Sequence, residues 1–203
     1  MTEETTYFTG LDLGQATEFT ALAVLERTIG PSPAQSGRDV KRYGVRHLER
    51  FALGTPYTEI CTRLHAIFSV PCLESTTLAV DQTSVGQPVI NLLRRARLQA
   101  TIRPVTITAG HQAYINESGD WLVPKKDLVG TLQVLLQSRR IKVAPSLTES
   151  QTLVQELVRF RAKATLSMDD SMEAWRDGPH DDLVLAVAIA AWQSESLRQA
   201  WIR

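Results

Sequence analysis

Cysteine is scarce in this sequence. Cys61 and Cys72 are the only two, and neither belongs to a Cys-x-x-Cys or Cys/His cluster. A structural zinc site and a disulfide framework are therefore not expected, which suits a reducing cytoplasm. A chain of 203 residues can bury an adequate core without such cross-links, so we expect one domain over residues 1–203.

An excess of one charge and a long apolar run are both missing. Lysine plus arginine and aspartate plus glutamate each number 22, so the chain offers no net basic field to attract nucleic acid. Contacts with DNA would have to come from local patches. The N-terminal stretch MTEETTYFTG is acidic where a secretory signal would be basic, and no segment approaches the length of a membrane span. We therefore expect a soluble cytoplasmic protein without a membrane partner.

Hydrophobic periodicity predicts strands and helices in an α/β order. Residues 7–13, 19–25 and 43–53 are predicted strands, with a polar loop at about 30–40 before the third. Helices at 58–70, 88–98, 126–137 and 149–160 then alternate with strands at 76–80, 100–108 and 141–143, and a last helix at 182–197 follows a polar loop or hairpin at about 163–180. The predicted fold class is α/β, with a central mixed β-sheet whose first three strands are antiparallel and whose faces carry helices.

Aspartates stand at three comparable places in this order. Asp12 ends the first strand, Asp81 ends the fourth, and the Asp181–Asp182 pair begins the last helix. If the first and fourth strands are neighbours, Asp12 and Asp81 face one another at the edge where open sheets bind ligands. Taken singly, each aspartate is an ordinary turn or helix-capping residue. Together they form the donor set that hard divalent cations prefer, so the sequence predicts a two-metal site for Mg²⁺ or Mn²⁺.

Three blocks of sequence resemble the nuclease domain of the large terminase subunit of tailed bacteriophages, within the RNase H and RuvC-like superfamily. In the family's order they are Gly10-Leu11-Asp12-Leu13-Gly14, Val80-Asp81-Gln82-Thr83-Ser84-Val85-Gly86 and His180-Asp181-Asp182-Leu183-Val184. The resemblance implies an RNase H-like fold and a DNA endonuclease that cuts concatemeric phage DNA during genome packaging. It also implies that Asp12, Asp81 and Asp182 are the catalytic metal ligands, with Asp12 bridging and Asp181 as the alternate to Asp182.

The sequence departs from the family in two ways. Leu185 stands where many members have a further aspartate, so the site would depend on the Asp181–Asp182 pair or on His180. The family's ATPase motor is missing, because no Gly-x-x-x-x-Gly-Lys-Ser/Thr loop is present to bind nucleotide phosphates. The resemblance then implies an excised domain or a separate nuclease. Either would act on double-stranded DNA in a bacterial host, with a motor, a small terminase and a portal as partners.

Several basic side chains are candidates for phosphate contact. Lys125 and Lys126 begin a predicted helix and could offset charge that develops during cleavage, although a solvated helix start is an equal interpretation. The candidates for DNA contact are Arg94 and Arg95 on one predicted helix, and Arg159, Arg161 and Lys163 at the end of another. Basic helix faces are more often solvated surface. His180 could join the metal site, or only hydrogen-bond a neighbouring acid.

Three other functions are compatible with parts of the pattern. A Holliday-junction resolvase of the RuvC type, or another RNase H-like nuclease, would use the same acids, and a resolvase would be a dimer. The Gly-x-Asp-x-Gly opening also occurs in actin-like and sugar-kinase nucleotide-binding domains, but those need a second phosphate loop and a duplicated domain. A non-catalytic packaging module would be marked by loss of the acids, which are retained here.

Overall fold

The computed structural model describes residues 4–15, 17–32, 39–166 and 181–196, with side chains as far as residue 160 in the third range. The strands are β1 (Glu4–Asp12), β2 (Ala21–Pro31), β3 (Asp39–Arg50), β4 (Thr76–Asp81), β5 (Ala100–Thr108), β6 (Tyr114–Ile115), β7 (Trp121–Pro124) and β8 (Ile141–Val143). The helices are α1 (Tyr57–Phe68), α2 (Gln87–Arg95), α3 (Lys125–Gln137), α4 (Ser150–Leu166) and α5 (Asp182–Ser196), with a 3-10 turn at Pro71–Leu73. In these ranges no helix is both long and apolar enough to cross a membrane.

The strands join into one eight-stranded sheet, in the order β6-β7-β5-β4-β1-β2-β3-β8. β1, β2 and β3 are antiparallel neighbours, whereas β4 lies parallel to β1 on its other side and β5 lies parallel to β4. α2 connects the parallel neighbours β4 and β5, because parallel strands need a crossover. The topology confirms the predicted α/β class, a mixed sheet with its first three strands antiparallel and helices on its faces.

Each face of the sheet carries its own apolar core. Side chains alternate between the faces along a strand. On one face, Leu11, Leu22 and Val80 pack with residues of α1 and α2. On the other face, Phe8, Ala23 and Ala79 pack with residues of α3, α4 and α5. By the same alternation Asp12 and Asp81 belong to this second face, the one that α5 covers.

α5 lies unusually close to the centre of the sheet. A Cβ atom built on Gly10 in β1 would stand 2.0 Å from the carbonyl oxygen of Ala186 and 3.0 Å from the backbone nitrogen of Ala190. Only glycine fits there, because any side chain would displace the helix backbone. The residues of β2 that share this face are also small, Ala21 and Ala23, and both are completely buried.

The C-terminal end of α5 is held by a polar cluster. Glu195 accepts a hydrogen bond from the Tyr43 hydroxyl at 2.7 Å and forms ion pairs with Lys41 at 3.2 Å and Arg140 at 3.4 Å. Cations near the end of a helix also complement its dipole. Burial alone would raise the pKa of Glu195, but the Tyr43 hydrogen bond and the Lys41 and Arg140 charges hold it below the usual value.

Several predicted boundaries were wrong. The loop at 30–40 is shorter than expected, because Gly30 and Pro31 still pair with Val40 and Asp39 across β2 and β3. α4 continues past Lys163 to Leu166, into the segment predicted as loop, and residues 167–180 lie outside the described ranges. β6 and β7 were not predicted, since strands of two and four residues are too short to show a period.

The close approach at Gly10 leads to a first prediction. Gly10→Ala should lower the free energy of unfolding by about 2 kcal/mol or more, because overpacking against backbone cannot be relieved by a rotamer change. Urea unfolding followed by circular dichroism measures it.

The matched control is Gly130→Ala in α3, where an added Cβ meets nothing within 4 Å. That change should stabilise the protein by about 0.5–1 kcal/mol, the helix-propensity gain of alanine. Equal effects of the two substitutions would refute the close packing of α5 on β1.

The Glu195 cluster leads to a second prediction, about pH. A depressed carboxyl pKa contributes stability that is present above the unfolded pKa of about 4.3 and is lost as the pH falls through the lower folded pKa. Glu195→Gln should therefore cost about 1–2 kcal/mol at pH 7. The difference from the wild type should vanish at a pH below the folded pKa.

Urea unfolding at a series of pH values tests this, with the exposed Glu117→Gln as the control. The loss of unfolding free energy in Glu195→Gln could instead stay constant down to pH 3, which is about one unit below an ordinary carboxyl pKa. That result would show that the carboxylate charge does not stabilise this end of α5.

Candidate functional site

Asp12 and Asp81 end adjacent parallel strands. They are directly paired in the register of β1 and β4, so the two acids occupy neighbouring places at the carboxyl edge of the sheet. Asp81 is buried, with 6% of its surface exposed, and Asp12 is half-buried. The structure therefore brings together the two strand-end acids that the sequence singled out.

α5 brings the third acid to the same place. Asp182 is the first residue of that helix, and Asp181 precedes it. The pKa of Asp12 is raised well above its ordinary value, first by burial of the carboxyl, then by the charge of Asp81 and then by that of Asp182. Acids from β1, β4 and α5 thus act electrostatically on one another, and we call Asp12, Asp81, Asp181 and Asp182 the acidic edge.

Thr83 orients the Asp81 carboxylate. One oxygen, Oδ1, accepts the Thr83 backbone N–H at 2.8 Å and also the Thr83 hydroxyl hydrogen bond. The same hydroxyl oxygen accepts the N–H of Ile107 in β5 at 2.9 Å. Asp81 is therefore fixed by the turn that follows it and, through Thr83, by the neighbouring strand.

The turn after Asp12 is equally constrained. A Cβ on Gly14 would lie 2.4 Å from the carbonyl oxygens of Glu18 and Phe19, so the chain folds back on itself tightly there. The Gly14 carbonyl accepts the Tyr57 hydroxyl at 2.9 Å, and the Gly14 N–H donates to the Thr20 hydroxyl at 3.1 Å. The two glycines of the Gly-x-Asp-x-Gly block thus have separate roles, Gly10 under α5 and Gly14 in this turn.

Sequence reasoning missed a fifth carboxylate, Glu156 of α4, which lies close to the four of the acidic edge. Only 1% of its surface is exposed, and its Oε2 accepts the backbone N–H of Val184 at 3.1 Å. Burial first, and then the Asp182 and Asp181 charges against the opposing Val184 and Arg50 contributions, raise the pKa of Glu156 to about 7. The available signal was a charged residue within the apolar period of Leu153 and Phe160.

A second missed carboxylate, Asp120, lies two strands from Asp81. It is 3% exposed and accepts hydrogen bonds from the side-chain amides of Gln82 at 3.1 Å and Gln87 at 2.7 Å. Arg94 approaches it to 4.0 Å. This network ties the segment that follows Asp81 to the start of β7, which stabilises the turn next to the acidic edge.

The lysine candidates lie at the same edge of the sheet as the acids. Lys125 and Lys126 begin α3 directly after β7, which runs parallel to β5 and so ends at the same side as β4. Lys126 is exposed, and its Nζ is 3.3 Å from Nδ1 of His111. Their role in binding phosphate stays a prediction.

The arginine candidates are placed less centrally. Arg94 and Arg95 form the last turn of α2, on the face opposite α5, and Arg159 is exposed on α4. Arg161 and Lys163 belong to α4, but the structure describes only their backbone. His180 is also outside the described ranges. DNA contact by these residues stays a prediction.

The acidic edge offers carboxylate oxygens as possible ligands for a metal ion. Within residues 4–15, 17–32, 39–160 and 181–196, no three His, Cys, Asp or Glu side chains are already arranged so that they could hold a metal ion. The chemistry of the set does fit, because the Asp81 and Asp182 charges raise the pKa of the Asp12 carboxyl, and carboxylate oxygens are the ligands that Mg²⁺ and Mn²⁺ take.

Comparisons with known proteins find only distant similarity. No protein-family model matches the chain, and no curated protein sequence matches it. The Thermus thermophilus RuvC structure is similar over 97% of this chain and 98% of that chain, with 12% identity and a TM-score of 0.43. A crystal structure of NurA bound to dAMP and manganese is similar over 96% of this chain and 53% of that chain, with 11% identity and a TM-score of 0.21. At these values neither structure carries an activity over to this chain.

The repulsion at the acidic edge leads to a third prediction. Asp12→Asn should raise the free energy of unfolding by about 1 kcal/mol in the absence of divalent cations, because it removes the acid that two others act on. Thermal and urea unfolding in EDTA measure the change.

Asp39→Asn is the matched control, since Asp39 is exposed at the start of β3, the opposite edge of the sheet. It should leave the stability unchanged. If Asp12→Asn were less stable than this control, repulsion among the acids would not destabilise the metal-free protein.

Proposed function

We propose that the chain is a divalent-metal-dependent DNA endonuclease whose catalytic residues are Asp12, Asp81 and Asp182, with Asp181 as the alternate to Asp182. The observation that carries the proposal is the electrostatic convergence of these acids from β1, β4 and α5. A fold gains nothing from holding like charges together in a buried place, so a bound cation is the natural reason for the arrangement.

The acids and Thr83 would have different roles in this reaction. Asp12, Asp81 and Asp182 would hold two Mg²⁺ or Mn²⁺ ions, which supply an activated water and stabilise the charge of an in-line displacement at phosphorus. Asp12 is acted on by both Asp81 and Asp182, so it is the acid suited to be shared. Thr83 keeps the Asp81 carboxylate in one orientation, which lowers the cost of ordering it when substrate binds.

DNA would approach across the same edge of the sheet. Lys125 and Lys126 stand two strands away from Asp81 at that edge, and their charge suits the phosphates that flank a scissile bond. Phosphate contacts of this kind position a duplex without reading its sequence. We therefore expect low sequence preference.

The finer proposal is a terminase-type nuclease, and it is supported by the order of the three motif blocks and by where their acids lie. Its substrate would be double-stranded concatemeric DNA, cut during genome packaging in the cytoplasm of a bacterial host. The ATPase motor would be supplied from outside these 203 residues, and a small terminase and a portal would complete the assembly.

Cleavage of supercoiled plasmid by the purified chain tests the function, with Mn²⁺, Mg²⁺ or EDTA. We expect metal-dependent nicking and linearisation that fall about 100-fold or more in Asp81→Asn and Asp182→Asn, the size of loss typical when one charge-stabilising group is removed from an active site. Asp39→Asn should cut like the wild type. Each variant is first checked for folding by circular dichroism.

Two outcomes would count against the proposal. Cutting that persists in both site variants would mean that the acids are misassigned or that another nuclease is present. Absence of cutting together with absence of Mn²⁺ binding by calorimetry would favour a non-catalytic module.

A comparison of substrates distinguishes the terminase hypothesis from the resolvase hypothesis. A strong preference for a four-way junction over linear duplex, combined with a dimer in gel filtration, would favour a RuvC-like resolvase. Equal cutting of linear duplex would favour the terminase type.

A further inference from the structure

Glu156 is a carboxylate buried where the helix period calls for an apolar residue. Leu153 and Phe160 on the same face of α4 are 0% and 3% exposed, and Glu156 between them is 1% exposed. Burying a carboxylate is costly unless hydrogen bonds and opposite charges compensate. The contacts that compensate for the burial of Glu156 therefore indicate its role in the structure.

Its principal contact is with the beginning of α5. The N–H groups in the first turn of a helix have no partner within the helix, and an N-cap side chain usually supplies one. Asp181 holds the N-cap position, since its carbonyl accepts the Leu185 N–H at 2.9 Å. The Val184 N–H, a donor that an N-cap aspartate would ordinarily take, instead donates to Oε2 of Glu156 at 3.1 Å. The start of α5 is thus tied to α4.

Arg50 faces the other oxygen of the Glu156 carboxylate, as a long ion pair without a hydrogen bond. Its Nη1 lies 3.8 Å from Oε1, and its guanidinium stacks over the Phe19 ring at 4.5 Å. Arg50 pairs with Ala21, and Ala21 pairs with Asp12, so Arg50 lies in the same row of the sheet as the acidic edge. Glu156 therefore connects the first turn of α5 to the row that contains Asp12 and Asp81.

We propose that Glu156 is a positioning residue, which fixes the first turn of α5 through the Val184 N–H and so holds the Asp181–Asp182 pair against Asp12. This inference rests on the proposed function for its consequence in metal binding. The contact itself is independent of catalysis. The required chemistry at residue 156 is a hydrogen-bond acceptor of glutamate size.

The test compares Glu156→Gln, which keeps an acceptor oxygen, with Glu156→Leu, which removes it. Leucine suits the apolar face of α4, so the variant should keep its overall fold. The matched control is Gln155→Leu at the exposed neighbouring position of α4. Amide hydrogen exchange is followed by mass spectrometry in peptides from the start of α5, and Mn²⁺ binding is followed by calorimetry in parallel.

In Glu156→Leu we expect exchange at Leu183 to Leu185 to be about tenfold faster, the effect of losing one hydrogen bond to a charged group. Mn²⁺ binding should weaken by a similar factor. Glu156→Gln should stay within about threefold of the wild type in both measurements, which corresponds to less than the loss of one such bond. Exchange in β1 and β4 should not change in any variant.

Three results would overturn the inference. They are unchanged exchange at the start of α5 in Glu156→Leu, equal acceleration in Glu156→Gln, and faster exchange in Glu156→Leu with unaltered Mn²⁺ binding. If the wild type binds no Mn²⁺, the proposed function fails, and the exchange data alone decide whether Glu156 positions the helix.

Discussion

The carbonyl of Ala186 lies where a side chain on Gly10 would be, and the acidic edge depends on that contact. α5 passes over β1 at Gly10 and ends at Glu195, which contacts Tyr43 and Lys41 of β3. Four residues of helix rise about 6 Å, and two residues of strand span about 6.6 Å. Asp182 is thus about as far along the helix from the Ala186 contact as Asp12 is along β1 from Gly10. A bulkier residue at position 10 would lift the helix and separate Asp182 from the two strand-end acids.

The same packing has an electrostatic cost. It places Asp182 near Asp12 and Asp81, and each additional acid raises the pKa of Asp12. The positive end of the α5 dipole offsets part of the repulsion, because it favours carboxylates at the start of the helix. The apolar core around α5 supplies the rest, since nearly every residue from Leu183 to Trp192 is buried. Stability gained by packing one helix is thus used to keep charges together that would otherwise separate.

The order of the elements allowed β1 and β4 to be predicted as possible neighbours. Three strands followed by a helix and a fourth buried strand permit that arrangement, and parallel strands end at the same edge of a sheet. The third acid needed only the prediction that the last helix begins at Asp182. The strand ends and the helix start depend on residues close to one another in the chain, whereas the pairing of β1 with β4 joins distant segments and needed the structure.

Glu156 and the short strands could not be predicted in this way. The role of Glu156 depends on which backbone amide α4 faces, and that amide, Val184, is 28 residues further along the chain. β6 and β7 form because β5 offers an edge to pair with, which their own few residues do not encode. Gly30 and Pro31 favour a turn locally, yet pairing with β3 keeps them in β2. In all three places tertiary contacts override local preference.

The apolar contacts of α5 do not by themselves fix its position along its axis. Its central part is apolar on every side, and its contacts with the sheet are mostly between small residues. Such packing excludes water well but distinguishes poorly between neighbouring positions of the helix along its axis, since one small apolar residue replaces another. The polar contacts stand at the two ends. Val184 donates to Glu156 at the beginning, and Glu195 meets Tyr43, Lys41 and Arg140 at the end. A shift by one turn would leave the buried Glu156 and the half-buried Glu195 without these partners, at a cost of about 1 kcal/mol or more for each. The two ends therefore fix the axial position of α5, and with it the distance between Asp182 and Asp12.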